Sequence, residues 1–292
     1  MITAVPRVAI AVRDMDRAIA RFRDTLGMPV REFEWLPQAL GIRMALCVPP
    51  GGAHVELMSP AEPERAHARS LLRFLDRRGE GLFALMLYAP DPNAEAEELR
   101  RRSLDVMPLL EDAEGRDLHP RNTCGVLIRI YPAGSAESIE RELDRGVGRA
   151  HERRSRAGLS GITRVLVAVS DLDAAIRVYR DQLRIDTRML PPDETSGVLV
   201  AACTPPSGAT IDLVAPTGVD GPAGREITKF LRERGEGMYA LLLESDDLEA
   251  TVGTLEANGA RPRRLDDRPD AWELDPETTQ GARVRIQRRA KR

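Results

Sequence analysis

The sequence predicts an α+β protein of two tandem domains, each built from a pair of βαβββ modules, so that one chain holds four modules. Three observations predict it. The chain repeats itself over nearly its whole length, each copy alternates β-rich runs with helical periodicity, and 292 residues suit two domains that each bury a core.

The repeat comes first because it decides the architecture. VPRVAIAVRDMDRAIARFRDTLGM, from Val5, is echoed by ITRVLVAVSDLDAAIRVYRDQLRI, from Ile162, with Asp14 and Asp171 157 positions apart. AHVELMSP from Ala53 matches ATIDLVAP from Ala209. FLDRRGEGLFALML from Phe74 matches FLRERGEGMYALLL from Phe230, and HPRNTCGVLIRI from His119 matches DPETTQGARVRI from Asp275, all at a separation of 156. A register that holds across both copies with one deletion marks a duplicated unit. The domains are placed at 1–132 and 161–292. Residues 133–160 have no counterpart. There Ile139, Leu143 and Val147 recur at i, i+4 spacing among alternating Glu and Arg, which predicts a linker helix with a solvated charged face.

Within the first copy, residues 7–12 are β-rich, and Met15, Ile19, Phe22 and Leu26 then fall at helical spacing before Gly27. Runs at 31–35, 43–48 and 55–58, separated by Pro and Gly, predict three strands. A helix at 68–78 stops at Gly79, and the pattern restarts with a strand at 82–88, a helix at 94–102 and strands ending at 125–130. The GEG phrases at 79–81 and 235–237 lead into strands. They are helix stops, not phosphate cradles.

Hydrophobic residues make up 42% and charged residues 30%, the balance of a globular protein. No apolar run approaches the roughly 20 residues of a spanning helix, and MITAVPRVAIAVRDMD meets acid too early for a signal peptide, so a cytoplasmic protein without a membrane partner is expected. Cys47, Cys124 and Cys203 form no CxxC pair, which excludes a disulfide framework and a cysteine zinc site. A net charge of -3 gives no general attraction to nucleic acid. The expected partner is a small molecule, with the chain a monomer or a homodimer.

The order of elements, with RVAIAVRDMDRAIARFRDTLGM, FLDRRGEGLFALML and HPRNTCGVLIRI, resembles the vicinal-oxygen-chelate (glyoxalase/bleomycin resistance/extradiol dioxygenase) superfamily, and in phrasing its methylmalonyl-CoA epimerase-like members. The resemblance implies that the eight strands of each domain curl around a cavity, with a divalent metal held by residues of four strands. Carried over, the first position is Arg7 and Arg164, where the family often has His. The second is Glu56 and Asp212, which suit a ligand. The third is Ala84 and Ala240 in place of His, and the fourth is Arg129 and Arg285 in place of Glu. A guanidinium offers no lone pair and stays protonated, so two arginines at the metal position exclude a cation. No metal and no other cofactor is expected. The chain has only four histidines, His54, His67, His119 and His151, which leaves no His-rich site elsewhere.

Two readings of the exchanged residues follow. In one, the acid lies between two arginines as a buried salt-bridge triad filling the metal position. In the other, two arginines and one acid per half leave a positive charge facing the cavity. That makes Arg7, Arg129, Arg164 and Arg285 ligand-binding residues for a carboxylate, enolate or phosphate. Glu56 and Asp212 are the candidate general bases, with arginine pairing expected to lower their pKa values. The function expected is binding of a small anionic organic ligand in a metal-free cavity. The alternative is a metal-independent lyase, isomerase or epimerase of a small organic acid or its thioester, and a metallo-dioxygenase is disfavoured. His119, replaced by Asp275 in the second copy, is expected to shape a turn. Trp35, Phe83, Tyr88, Tyr131, Tyr239 and Trp272 are candidates for cavity walls or core.

Overall fold

Two sheets, each organised around a largely buried central strand, make up the chain. A computed structural model describes residues 1–33, 40–108, 115–133, 155–193, 195–265 and 268–290. The central strand β1 (Ala4–Ala11) is buried almost throughout, as its run of Val, Ala and Ile requires. Helix α1 (Met15–Ala20) opens where the Asp14 carboxylate accepts the Arg17 N–H at 3.0 Å, and winds on as a π-helical turn over Arg21–Thr25. Its buried face is Met15, Ala18, Phe22 and Leu26. There follow β2 (Val30–Glu32), β3 (Ile42–Cys47), β4 (His54–Pro60), α2 (Ala66–Arg78), β5 (Gly81–Ala89), α3 (Pro92–Arg101), β6 (Arg116–Leu118) and β7 (Leu127–Pro132).

The second half repeats this order. It runs β8 (Leu159–Ala168), α4 (Leu172–Ile176, continued as a π-helical segment over Arg177–Gln182), β9 (Asp186–Met189), β10 (Val198–Thr204), β11 (Ser207–Gly208) and β12 (Thr210–Pro216). It ends with α5 (Pro222–Arg234), β13 (Gly237–Ser245), α6 (Leu248–Ala257), β14 (Pro262–Arg264), β15 (Ala271–Leu274) and β16 (Val284–Arg288). No helix of the described residues is long and apolar enough to cross a membrane.

The sheets have matching strand orders, β2-β3-β4-β1-β5-β7-β6 and β9-β10-β12-β8-β13-β16-β15-β14. In each, the two modules join through antiparallel pairing of their first strands, β1 with β5 and β8 with β13. The first-half counterpart of β14 shrinks to one bridge, Val106 to Leu118. Most of the linker helix expected over 133–160 falls on 134–154, outside the described residues. The end of that span is not helical: Leu159 and Ser160 open β8, because their backbone pairs with β13.

One continuous apolar core draws residues from both halves, from Val5 and Phe22 to Tyr179 and Ile286. The seam obeys an approximate twofold. Ala53 and Ile162 exchange backbone hydrogen bonds at 2.7 Å, and at the matching place the Ala209 N–H donates to the Val5 carbonyl at 3.0 Å. Arg78 and Arg234 each donate to the other's carbonyl, at 2.6 and 2.8 Å. The GEG segments stop α2 and α5, with the Gly79 N–H on Leu75 and the Gly235 N–H on Leu231. They also meet the opposite half. A Cβ at Gly125 (φ +75°) would lie 1.9 Å from the Glu236 carbonyl, and one at Gly281 (φ +76°) would lie 2.3 Å from that of Glu80. Gly125→Ala is therefore expected to cost about 3 kcal/mol, combining the left-handed φ with overpacking against backbone. Urea unfolding measures it; a loss below about 1 kcal/mol would show that the seam yields.

On the sheet face away from the seam, α2 lays Ala68, Leu71 and Leu75 against Ala9, Ala11, Met58, Ala84 and Met86. In the second half α5 lays Ile227, with Phe230 and Leu231, against Ala168, Val214, Tyr239 and Ala240. Because side chains alternate across a strand, this is also the face that carries Arg7, Glu56 and their counterparts.

Candidate functional site

Strand pairing puts the two arginines of each half in one cross-strand row, with Glu56 and Ala84, or Asp212 and Ala240, in the row beside it. In the first, Arg7 on β1, Met86 on β5, Arg129 on β7 and Asp117 on β6 lie side by side. On the other flank His54 on β4 pairs with Arg7, and Glu56 stands two residues further along the same face. The second row is Arg164 on β8, Leu242 on β13, Arg285 on β16 and Glu273 on β15, with Thr210 and Asp212 on β12 replacing His54 and Glu56.

An intervening strand thus separates the two arginines of each row by roughly 10 Å of backbone, at about 4.8 Å per strand. Each turns outward to an acid on its far neighbour. Arg7 Nε lies 3.2 Å from Glu56 Oε2, and Arg129 Nε donates to Asp117 Oδ2 at 3.2 Å. Arg164 Nη1 donates to Asp212 Oδ2 at 2.9 Å, and Arg285 Nε to Glu273 Oε2 at 2.9 Å. The single Arg–acid–Arg triad expected from sequence is replaced by two pairs, and the second acid cancels the surplus charge expected in the first half. Asp117 and Glu273 escaped sequence reading because they sit on short strands with weak patterning. The signal was present: DLHP and ELDP keep an acid at matching positions of both copies.

The first-half network is closed. Side-chain exposure is 6% for Arg7, 3% for Glu56 and 4% for Arg129. Arg7 stacks over Tyr131 at 5.3 Å and Arg129 over Phe83 at 5.5 Å. Burial works to lower both guanidinium pKa values, and the facing carboxylates together with the neighbouring tyrosines outweigh it, so both are raised. Arg7 Nε and Glu56 Oε2, though close, are buried without a well-formed hydrogen bond.

The second half differs. Arg164 is 40% exposed while Asp212 beside it is buried, and Asp212 Oδ1 has no hydrogen-bond partner. Burial raises the Asp212 pKa more than Arg164 lowers it. This overturns the expectation that arginine pairing depresses it, because one half-solvated guanidinium does not repay desolvation of the carboxylate.

A further group joins this half from α5. Glu226 Oε2 accepts from Tyr239 Oη at 2.7 Å, Arg285 Nη2 at 2.8 Å and Arg283 Nη1 at 3.2 Å. Arg283 and Arg285 stack over Tyr239 at 4.5 and 5.3 Å, and Arg283 also hydrogen-bonds the Tyr239 hydroxyl. The first-half counterparts are Ser70, Phe83 and Leu127. Three coordinated departures from the repeat were the sequence signal for this group.

His119 Nδ1 accepts the Arg121 N–H at 3.2 Å, and Asp275 accepts the Glu277 N–H at 2.9 Å, so both close the same turn. Phe83, Tyr88 and Tyr239 are buried, Trp272 packs on the core, and Trp35 and His151 lie outside the described residues. A divalent metal does not fit either row. Of the four positions carried over in each half, two present guanidinium, Ala84 or Ala240 presents a methyl group, and Glu56 or Asp212 is already paired with arginine. Among the described residues, no three His, Cys, Asp or Glu side chains group so as to hold an ion.

Fold and site together define a tandem protein of paired βαβββ modules in which arginine–carboxylate pairs line one face of each sheet. The sequence profile of the Glyoxalase/Bleomycin resistance protein/Dioxygenase superfamily matches residues 7–119 and again 163–271, and the chain belongs to that superfamily. A 4-hydroxymandelate synthase variant from Streptomyces coelicolor shares the fold over 100% of this chain and 94% of its own, with a TM-score of 0.67 at 13% identity. A xylose isomerase-like TIM barrel/4-hydroxyphenylpyruvate dioxygenase fusion protein does so over 100% of this chain and 49% of its own, with a TM-score of 0.61 at 14% identity. Methylmalonyl-CoA epimerase from Mycobacterium tuberculosis is 29% identical over 47% of this chain and 92% of its own, with a TM-score of 0.39. No curated protein sequence matches the chain.

Proposed function

We propose that this protein binds a small organic anion without a metal, and that the second half carries the ligand site. The observation behind this reading is the contrast between the rows: Arg164 is open to solvent beside a buried carboxylate with an unpaired oxygen, whereas the Arg7 row is sealed. Charge points the same way. Among the described residues of the second cluster, Arg164, Arg263, Arg283 and Arg285 face Asp212, Glu226 and Glu273, a surplus of one cation. In the first, Arg7 and Arg129 balance Glu56 and Asp117. Guanidinium groups recognise carboxylates through paired, charge-assisted hydrogen bonds. Three unpaired cysteines suit a reducing compartment, which supports a cytoplasmic location.

A second reading rests on Asp212. A carboxyl whose pKa burial has raised, with one oxygen free and an arginine alongside, is equipped to take a proton from a carbon next to a carbonyl while the arginine steadies the enolate. That chemistry is isomerisation or epimerisation of a small organic acid or thioester.

Calorimetric titration with malonate, succinate and pyruvate separates the readings. Arg164→Ala is expected to weaken binding about 10- to 100-fold, the worth of one charged hydrogen-bonded contact. Chelator is expected to leave it unchanged. Binding that depends on a stoichiometric dication would overturn the proposal. Under the second reading, solvent deuterium enters the bound acid, and Asp212→Asn slows that entry about 1,000-fold while binding persists.

A further inference from the structure

We infer that Arg283, Arg285 and Tyr239 form a carboxylate clasp, and that Glu226 occupies it in place of a ligand's carboxylate. The inference rests on the proposed anion-binding function and names the chemistry of its ligand. Three donors converge on one carboxylate oxygen, Glu226 Oε2, from Tyr239 at 2.7 Å, Arg285 at 2.8 Å and Arg283 at 3.2 Å. That is how a protein holds a carboxylate ligand, and charge-assisted bonds of this length are the strong kind.

The clasp does not need Glu226 to keep its shape. Glu273 supports Arg285 at 2.9 Å and Arg283 at 3.5 Å from the adjoining strand, and both guanidiniums rest on the Tyr239 ring. Tyr239 and Arg285 stand on strands β13 and β16, and Arg283 immediately precedes β16 with its carbonyl held by the Leu241 N–H, whereas Glu226 comes from α5 and is about one-third exposed, so it can exchange the clasp for water. Nor does the fold require a carboxylate there. The first copy builds the same sheet and covering helix with Ser70, Phe83 and Leu127, and Arg129 settles on the Phe83 ring with no helix acid. Glu226, Tyr239 and Arg283 therefore add something the shared scaffold does without.

The clasp takes one carboxylate. Arg164 lies in the same row as Arg285 with only β13 between them, on the face shared with Asp212, where a second acidic group of the ligand can be met. A dicarboxylate offers one group to the clasp and a second to Arg164.

Binding of malonate, succinate and acetate is measured by calorimetry for wild type, Glu226→Gln, Glu226→Ala, Arg285→Ala and the Glu226→Ala/Arg285→Ala double variant. Both Glu226 variants are expected to bind malonate and succinate about 10-fold more tightly than wild type, and Arg285→Ala to abolish the gain. Acetate is expected to gain from the Glu226 changes while remaining weaker than the diacids. If wild type binds the diacids through Arg164 but neither Glu226 variant binds more tightly, the clasp is wrong and anion binding stands. If the gain survives loss of Arg285, Glu226 acts elsewhere and the clasp is again wrong. If no form binds any carboxylate, the clasp and the proposed function fall together. Near-isosteric Glu226→Gln guards against a folding defect in the alanine variant.

Discussion

Arg7→Met is expected to remove about 3–5 kcal/mol of folding stability, the cost of stranding a buried charge by deleting its partner. Glu56 is 3% exposed and lies 3.2 Å from Arg7 Nε, so without the guanidinium its carboxylate would lose its ion-pair partner on a helix-covered sheet. Glu56→Leu is expected to cost a similar amount for the converse reason. The double change Arg7→Met/Glu56→Leu is expected to recover most of the loss, because two apolar side chains of similar volume then fill the site. Urea unfolding of the four forms closes the cycle, and a double variant as unstable as the two single losses added together would refute a coupled buried pair. Arg164→Met is expected to cost much less. Arg164 is 40% exposed, and Asp212 can take up a proton where burial already favours one. The same two positions are thus sealed in one half and open to solvent in the other.

Acid is expected to weaken the first half through His54. Burial, and then the neighbouring Arg7, lower its pKa from 6.5 to about 4. The unfolded chain binds this proton at higher pH than the folded chain does. The stability His54 contributes is therefore full above pH 6.5 and lost as pH falls toward 4, to a total of about 3 kcal/mol at 1.36 kcal/mol per unit. His54→Gln is expected to flatten this part of the profile, read from urea midpoints between pH 7 and 4.5. A variant as acid-sensitive as wild type would place the sensitivity in other groups. Asp212 works in the opposite sense. Its folded pKa is raised above 3.8, so the folded state holds the proton more tightly and gains stability as pH falls through that window. Thr210, the counterpart of His54, does not titrate, so the two halves answer acid differently.

Much of the architecture was legible in the linear chain. The 157- and 156-residue offsets carry the twofold arrangement, down to Arg78 and Arg234 exchanging contacts across the seam. Helix stops at Gly79 and Gly235 and the Asp14 and Asp171 caps fall where local chemistry puts them. Pairing of Arg7 with Glu56 and of Arg164 with Asp212 also followed from sequence, through the family resemblance. The outer acids Asp117 and Glu273 did not, nor did Glu226. An ion pair between strands depends on the register in which they pair, and β6, at three residues, is too short to show one in its pattern.

By itself the sequence determined the duplication, the order of strands and helices in each copy, and the recurrence of an arginine, an acid, an alanine and a second arginine at matching positions of both copies. These are matters of local periodicity and side-chain chemistry, which need no knowledge of neighbours. Tertiary structure alone decided that the arginines stand a strand apart, that one row is sealed and the other open, and that burial outweighs Arg164 at Asp212. Desolvation and cross-strand contact are properties of everything packed around a group, and folding brings those surroundings from distant parts of the chain.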